Sequence, residues 1–246
     1  MDVLIIHYNT QELTEAAIMS LWKHTPECRV TVFDNSDKRP FGRIENGKWI
    51  MDNVGQDKLS IINSQLSIID NTRGQVVNWD EWLAQYPNKL PNNCAWGSAK
   101  HTYSVEICLD RFPNGVLLMD SDVLLKKDVT PLCDPAQAVV AEIGRGSHPK
   151  RGGLRRFMPM ICWLNVPMLR QAGATFFNPN KMWALTDRQP HCWYDTGAWL
   201  LETVLKARLP YRSIEMANYV EHFGHGSWKN KHDPNEWLRM HRQLWI

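Results

Sequence analysis

The sequence predicts an α/β fold: a mixed, mainly parallel sheet flanked by helices. Three short apolar runs, at residues 2–7, 30–33 and 116–119, each stop abruptly at polar residues. Continuous apolar runs of this length are typical of strands that are covered on both faces. Segments with helical spacing separate them, and a strand–helix–strand order makes the strands parallel. Their carboxyl ends then lie at one edge of the sheet, where α/β proteins bind ligands.

The first elements alternate strand, helix and strand. Thr10 is suited to cap a helix whose apolar residues recur at helical spacing until Pro26 ends it. The strand at 30–33 follows this helix. The third sheet strand is predicted at residues 66–69, in preference to a similar run at 59–62.

The rest of the chain continues the alternation of helices and strands. The predicted elements are an insertion over 78–93, a helix over about 96–107, the strand 116–119, strands at 138–141 and 160–164, and a helix over about 196–207. The chain has 246 residues, of which 43% are hydrophobic, and this is enough to bury one full core. We therefore expect a single domain over residues 1–246.

Composition excludes several classes of function. The 28 basic residues nearly balance the 26 acidic ones, so the net charge of +2 predicts no general affinity for nucleic acid. The apolar runs are too short to span a bilayer, and the N-terminal segment lacks the basic start of a signal peptide. The six cysteines form no C-x-x-C pair, which indicates free thiols. We therefore predict a cytoplasmic protein, with the inner face of a membrane as an alternative location.

Asp120-Ser121-Asp122 follows the clearest predicted strand and is the main candidate for chemistry. Two carboxylates one residue apart offer the hard oxygen ligands that Mn²⁺ and Mg²⁺ prefer. An Asp-x-Asp motif also occurs in turns, where an Asx-turn ends a strand. The two earlier strands also end in polar residues, at 7–9 and 34–36, and this combination favours a metal site.

Three segments together resemble a known family. They are Val-Leu-Ile-Ile-His-Tyr-Asn at 3–9, Val-Phe-Asp-Asn-Ser at 32–36 and Leu-Leu-Met-Asp-Ser-Asp at 117–122. They look like the N-terminal half of the GT-A glycosyltransferases, most of all family 2, over residues 1–125 and more weakly to about 230. The resemblance implies a nucleoside diphosphate sugar as donor, bound by 1–125, and a glycan or glycolipid acceptor, bound by 126–246.

The resemblance also implies roles for single residues. Those that match the nucleotide-contacting positions are Tyr8, Asn9, Asp34, Ser98, Lys100 and Asp120. Asp120 would lie near the ribose and the metal, and Asp122 would ligate the metal directly. The family often has an acidic pair after its second strand, whereas this chain has Asp34-Asn35, so the nucleobase stays open.

Asp195 precedes the late predicted helix and has two interpretations that can coexist. It can cap the helix, or it can be the catalytic base of an inverting transfer. In family 2 enzymes an acidic residue at this place takes the proton from the acceptor hydroxyl. A retaining outcome stays open, because residues 160–173 also resemble retaining GT-A enzymes. Trp193, Tyr194 and Trp199 are candidates to line an acceptor sugar subsite.

Two further segments carry candidate binding residues. In the tail, His222 or His225 would ligate the metal and Lys229 would bind the diphosphate, as the C-terminal segment does in several GT-A enzymes. Residues 144–157 interleave arginines and a lysine with glycines. This segment is either a solvated loop or a flap over phosphates or an anionic acceptor, and it is the candidate for peripheral membrane contact.

Three other classes of protein compete with this interpretation. A haloacid dehalogenase-type phosphohydrolase would use Asp120 as its nucleophile, but the chain lacks the later acidic pair that such an enzyme needs. A nucleotidyltransferase would carry a glycine- and arginine-rich loop after its first strand, which is absent here. A non-catalytic carbohydrate-binding protein would fit the 12 tryptophans but not the metal-type motif.

Overall fold

The structure, a computed structural model, describes residues 1–36, 43–45, 48–50, 74–78, 97–145, 154–178, 194–224 and 233–246. Within these ranges the strands are β1 Asp2–His7, β2 Arg29–Asp34, β3 Arg43–Glu45, β4 Lys48–Ile50, β5 Gly74–Asn78, β6 Val116–Asp120, β7 Val123–Leu125, β8 Val139–Arg145, β9 Arg155–Leu164, β10 Tyr211–Ser213 and β11 Val220–His222. The α-helices are α1 Gln11–His24, α2 Gly97–Leu109, α3 Val166–Gln171, α4 Ala198–Lys206 and α5 Pro234–Met240. No helix in this part of the chain is long and apolar enough to cross a membrane.

Seven strands form the main sheet, in the order β10-β8-β9-β6-β1-β2-β5. Strands β5, β2, β1 and β6 pair in parallel, and β10 pairs in parallel with β8. Strand β9 runs antiparallel to both of its neighbours, β6 and β8. The predicted fold class, an α/β protein with a mixed, mainly parallel sheet flanked by helices, is therefore confirmed.

Both faces of the sheet are covered, which explains the unbroken apolar runs. On β1, Val3 and Ile5 pack with α1, β7 and the C-terminal helix α5, whereas Leu4 and Ile6 pack with α2, α3 and α4. Strand β6 divides in the same way between alternate residues. The sheet therefore lies between two layers of helices, and polar side chains can gather where its strands end.

Three expectations differ from the structure in detail. The strand that pairs with the outer side of β2 is β5, at Gly74–Asn78, whereas the predicted run 66–69 lies outside the described residues. Thr10 takes the N-cap position of α1 but makes no capping hydrogen bond with its side chain. Segment 144–157 is not simply a loop, because Gly144 and Arg145 pair with Arg156 and Arg155 in the β8–β9 hairpin.

A matched pair of glycines separates backbone strain from close packing. Gly197 and Gly173 both have positive φ, +87° and +66°, so alanine at either is expected to cost about 1–2 kcal/mol. A methyl group on Gly197 would also collide with the carbonyl oxygen of Phe157, whereas one on Gly173 would have nothing within 4 Å. Denaturant unfolding should therefore show a clearly larger loss for Gly197→Ala than for Gly173→Ala. Equal losses would contradict the close packing of residue 197 on β9.

Helix α1 carries a buried acid, Glu15, which is only 1% exposed. One carboxylate oxygen accepts a hydrogen bond from Gln11 Nε2 at 2.9 Å. The other oxygen has no hydrogen-bond partner among the described residues. Burial raises the pKa of Glu15 to about 7, outweighing the opposite effect of the Gln11 hydrogen bond. Glu15 is therefore protonated in the folded protein over a range where it is ionised in the unfolded chain.

The raised pKa of Glu15 predicts that stability falls as the pH rises. Between the ordinary value of 4.5 and about 7, the folded protein holds a proton that the unfolded chain has released, so the free energy of unfolding decreases with pH. Glu15→Gln should remove this slope and stabilise the protein by about 2–3 kcal/mol at pH above 7. Denaturant unfolding on both sides of this range measures the effect, with the exposed Glu27→Gln as control. An unchanged slope in Glu15→Gln would rule out Glu15 as its source.

Candidate active site

The carboxyl ends of three parallel strands meet at one edge of the sheet. Ile6 of β1 lies beside Asp120 of β6, and His7 lies beside Asp34 of β2. The chain adds β2 and β5 on one side of β1 and then returns to add β6 on the other side. The polar residues that follow these strands therefore gather at the switch point of the sheet, which is where open α/β sheets bind ligands.

Hydrogen bonds join the loops that follow these three strands. The backbone N–H of Asn9 donates to Ser36 Oγ at 2.9 Å, and the N–H of Ser36 donates to Asp34 Oδ1 at 3.0 Å. The hydroxyls of Thr10 and Ser121 lie 3.2 Å apart. Asn9 itself has φ +55°, a conformation that residues other than glycine rarely adopt and that is common at functional sites. The residues predicted to contact the nucleoside are thus held in one set of connected loops.

The tail reaches the Asp-x-Asp motif through a short two-stranded ribbon. Strand β11 pairs antiparallel with β7, so that His222 stands opposite Val123, and the N–H of Phe223 donates to the carbonyl oxygen of Asp122 at 2.9 Å. As a result, His222 Nε2 lies 3.3 Å from Asp122 Oδ1. Phe223 then packs against Trp237 of α5, with ring centroids 5.2 Å apart. His222 is therefore placed beside Asp122 by backbone pairing and by packing of the C-terminal helix.

The charges at this edge influence one another. Burial raises the pKa of Asp120, and the neighbouring charge of Asp122 raises it further, while His101, His222 and Arg156 act in the opposite direction. Burial lowers the pKa of His222, but the hydrogen bond and charge of Asp122 and the charge of Asp120 outweigh burial, so its pKa is raised. Two carboxylates in this enclosed edge thus favour a positive partner.

Asp122 and His222 are suited to hold a cation together. Ligand bonds of about 2.1 Å place neighbouring ligand atoms about 3 Å apart, which agrees with the 3.3 Å between Asp122 Oδ1 and His222 Nε2. Carboxylate oxygen suits Mn²⁺ and Mg²⁺, and imidazole is a common metal ligand. Within the described ranges, no group of three or more His, Cys, Asp or Glu side chains has the geometry of a metal site. These two side chains therefore fit a cation that takes further ligands from elsewhere.

Asp195 does not cap the late helix. Gly197 takes the N-cap position of α4, with φ +87°, and the carbonyl oxygen of Asp195 accepts from Ala198 N–H at 2.9 Å. Helix α4 therefore begins at Ala198, three residues after Asp195. The carboxylate is bound instead by the N–H of Thr196 at 2.8 Å and by Arg156 Nη1 at 2.8 Å. The capping expectation is thus wrong, and the catalytic one stays a prediction.

Two residues at this edge, His101 and Arg156, were not predicted individually from the sequence. His101 of α2 has Nε2 3.5 Å from Asp120 Oδ1, and its Nδ1 lies 3.4 Å from Thr196 Oγ1. Arg156 of β9 contacts Asp195 and also influences Asp120 and His222 electrostatically. His101 directly follows Lys100, a residue that the resemblance already indicates. Arg156 lies in the basic segment, but only the pairing of β9 shows which arginine faces the carboxylates.

The other predicted site residues lie either on nearby helices or outside the described part of the chain. Lys100 lies in the first turn of α2, directly before His101. Ser98 is in the same turn, and the described part of the chain does not include its side chain. His225, Lys229 and Trp193 lie outside the described residues. Trp199 donates its indole N–H to Thr175 Oγ1 at 3.0 Å, and its ring centroid is 6.3 Å from that of Tyr194. Their roles stay predictions.

Comparison with known proteins yields structural similarities only. No protein-family model matches the chain, and no curated protein matches it. Similar solved structures include the galactosyltransferase LgtC in complex with donor and acceptor sugar analogues, at 15% identity and a TM-score of 0.48, covering 88% of this chain and 74% of that one. The apo-form glycosyltransferase GlyE of Streptococcus pneumoniae TIGR4 has 14% identity and a TM-score of 0.45, with coverages of 88% and 45%. The structure of S. aureus TarS has 13% identity and a TM-score of 0.47, and the match covers 99% of this chain and 38% of that one.

These similarities concern the fold. The chain spans less than half the length of the GlyE and TarS chains. At such identities and TM-scores, these similarities give no argument for a shared activity. The α/β architecture is established by the chain's own sheet and helices. The GT-A resemblance stays a prediction, and any function has to be argued from the residues of this chain.

Proposed function

We propose that this protein is a glycosyltransferase, which moves a sugar from a nucleoside diphosphate sugar to a hydroxyl acceptor and depends on Mn²⁺ or Mg²⁺. The main support for this proposal is the distance of 3.3 Å between Asp122 Oδ1 and His222 Nε2. This pair lies close to Asp120, at the switch point of the sheet. A nucleoside diphosphate brings the anionic oxygens that would complete the coordination of a cation held there.

The nucleoside would bind in the connected loops after β1 and β2. Asp34 is buried at the end of β2, and Tyr8 and Asn9 follow β1 in the loop that is tied to Ser36. Carboxylate, amide and phenol groups supply the hydrogen bonds that fix a ribose and a base in such a crevice. Ser98 and Lys100 of α2 would cover the nucleotide, and Lys229 would bind the diphosphate.

The leaving group carries the charge that the site has to stabilise. A bound divalent cation would neutralise the negative charge that develops on the diphosphate. Asp122 and His222 would hold that cation, with His225 as the alternative tail ligand and Asp120 close to the ribose. His222 lies in the β7–β11 ribbon, Asp122 directly precedes β7 and Asp120 ends β6, so these three side chains would be in place before the donor arrives.

We propose that Asp195 is the catalytic base of an inverting transfer. The bond from the anomeric carbon to the diphosphate breaks, and its electron pair leaves with the diphosphate. An acceptor oxygen forms the new bond, and its proton passes to the Asp195 carboxylate. Contacts from Thr196 N–H and Arg156 fix the orientation of that carboxylate.

The acceptor is proposed to be a glycan or glycolipid, bound by the C-terminal half of a single domain. Tyr194 directly precedes Asp195 and Trp199 follows it by four residues, and aromatic rings of this kind stack on sugars. The basic segment 144–157 would contact an anionic acceptor or a membrane surface. We propose a cytoplasmic protein, with the inner face of a membrane as the alternative location, and no nucleic acid partner.

Hydrolysis of nucleoside diphosphate sugars with and without Mn²⁺ tests the proposed function. A glycosyltransferase should release the intact nucleoside diphosphate slowly without acceptor, and only when the cation is present. Release of inorganic phosphate from phosphomonoesters would instead favour the phosphohydrolase that uses Asp120 as nucleophile. Sugar binding without any hydrolysis or transfer would favour the carbohydrate-binding protein.

A further inference from the structure

Arg156 is an enclosed cation with two partners in one short segment. Its side chain is 12% exposed, and Nη1 lies 2.8 Å from Asp195 Oδ2 and 3.2 Å from the carbonyl oxygen of Thr196. One guanidinium nitrogen, Nη1, thus binds both the side chain of Asp195 and the backbone of Thr196. The planar, rigid donors of arginine suit this double contact better than the flexible ammonium of lysine.

The segment held by Arg156 is also docked on β9 through the backbone. The N–H of Phe157 donates to the carbonyl oxygen of Gly197 at 3.4 Å. The absence of a Cβ on Gly197 lets its backbone pass close to the carbonyl oxygen of Phe157. Residues 195–197 are therefore held in place by Arg156 and Phe157, and the position of the Asp195 carboxylate depends on β9.

A second contact ties the same segment to the donor end of the site. Thr196 Oγ1 accepts from Thr102 Oγ1 at 3.2 Å and lies 3.4 Å from His101 Nδ1. The other ring nitrogen of His101 is 3.5 Å from Asp120 Oδ1. In addition, the charge of Arg156 lowers the pKa of both Asp120 and His222, so its guanidinium lies within electrostatic reach of the metal-type residues. Arg156 thus contacts Asp195 directly, and His101 connects the adjacent Thr196 to Asp120.

We propose that Arg156 is a positioning residue, which holds the Asp195 carboxylate at a fixed place relative to Asp120 and so governs turnover rather than donor binding. This inference rests on the proposed function. Arg156 contacts the segment 195–196 and acts on the reaction through it. Loss of this contact would let Asp195 shift, and a displacement of about 1 Å can lower a rate by about 100-fold.

The test uses Arg156→Gln, Arg156→Lys and a matched control. Arg29 and Asp2 form an exposed ion pair of 2.9 Å at the amino edge of the sheet, so Arg29→Gln removes the same kind of pair far from the site. Hydrolysis of the nucleoside diphosphate sugar that the wild-type protein accepts gives kcat, and calorimetry with the corresponding nucleoside diphosphate gives affinity. We expect kcat of Arg156→Gln to fall by about 100-fold with donor affinity unchanged, and Arg156→Lys to recover part of it. Arg29→Gln should match the wild-type protein.

A double mutant separates positioning from general damage. If Arg156 acts through Asp195, then Arg156→Gln combined with Asp195→Asn should be no slower than Asp195→Asn alone. Full additivity of the two losses, near-native kcat in Arg156→Gln, or a loss of nucleotide affinity equal to the loss of kcat would each overturn the inference. These results leave the proposed function standing. If the wild-type protein hydrolyses no nucleoside diphosphate sugar, both the proposed function and the role of Arg156 in it fall.

Discussion

Asp122→Ala is expected to abolish metal-dependent binding of the nucleoside diphosphate. A hard cation loses its anionic ligand in this variant, while β7 and β11 keep their backbone pairing because Asp122 contributes to that ribbon through its carbonyl oxygen. Calorimetric titration of Mn²⁺ in the presence of the nucleoside diphosphate should show no binding. Asp110→Ala is the control, since the Asp110 side chain is 75% exposed and pairs with Arg170 outside the site.

The two tail histidines differ in what their removal should do. His222→Ala should weaken Mn²⁺ binding less than Asp122→Ala does, because it removes a neutral ligand and leaves the charged one. His225→Ala should have a smaller effect, since the ribbon already brings His222 to 3.3 Å from Asp122. Unchanged affinity in His222→Ala with a large loss in His225→Ala would transfer the ligand role to His225. No loss in either variant would remove the tail from the site.

Asp195→Asn is expected to lower turnover by about 10²–10⁴-fold while donor binding is preserved. Asparagine can still accept from the N–H of Thr196, but it cannot take the acceptor proton or form the ion pair with Arg156. The helix start should be unaffected, because Gly197 and not Asp195 takes the N-cap position of α4. Steady-state transfer kinetics combined with nucleotide affinity measure the two parts separately.

The kinetic result for Asp195 can contradict its proposed role in two ways. A near-native rate in Asp195→Asn would show that the carboxylate only orders its own loop. A loss of donor affinity as large as the loss of rate would mean that Asp195 contacts the donor rather than the acceptor hydroxyl. Thr203→Val is a useful control on α4, because the Thr203 hydroxyl bonds only to helix carbonyl oxygens of Trp199 and Leu200 among the described residues.

The sheet and the edge with the candidate site were predictable because the sequence signal of each strand is local. Burial on both faces leaves a continuous apolar run, so β1, β2 and β6 are readable from a few residues each. Parallel pairing then requires their carboxyl ends to meet, and Asp34 and Asp120 do lie on either side of β1. Strand β5, at the outer edge of the sheet, was not predicted. It begins with Gly-Gln and contains only two consecutive apolar residues, so it lacks the continuous apolar run of the inner strands.

The contacts within the site were harder to predict because they join distant parts of the chain. His222 approaches Asp122 through the pairing of β11 with β7, about a hundred positions apart in sequence, and no local pattern specifies that register. The sequence left His222 and His225 as alternative ligands. Arg156 was one of several arginines in the basic segment 144–157, and His101 belonged to no motif. The packing of β9 and α2 brings these two side chains to Asp195 and Asp120.

Nucleotide binding with and without Mn²⁺ decides whether this edge of the sheet is a nucleoside diphosphate site. Thermal-shift or calorimetric titration with UDP, GDP and CDP should show that at least one of them stabilises the wild-type protein, and that this stabilisation requires Mn²⁺ or Mg²⁺. The same nucleotide should give no metal-dependent stabilisation of Asp122→Ala. No stabilisation of the wild-type protein by any of the three, with either cation, would contradict a nucleoside diphosphate site at this edge of the sheet.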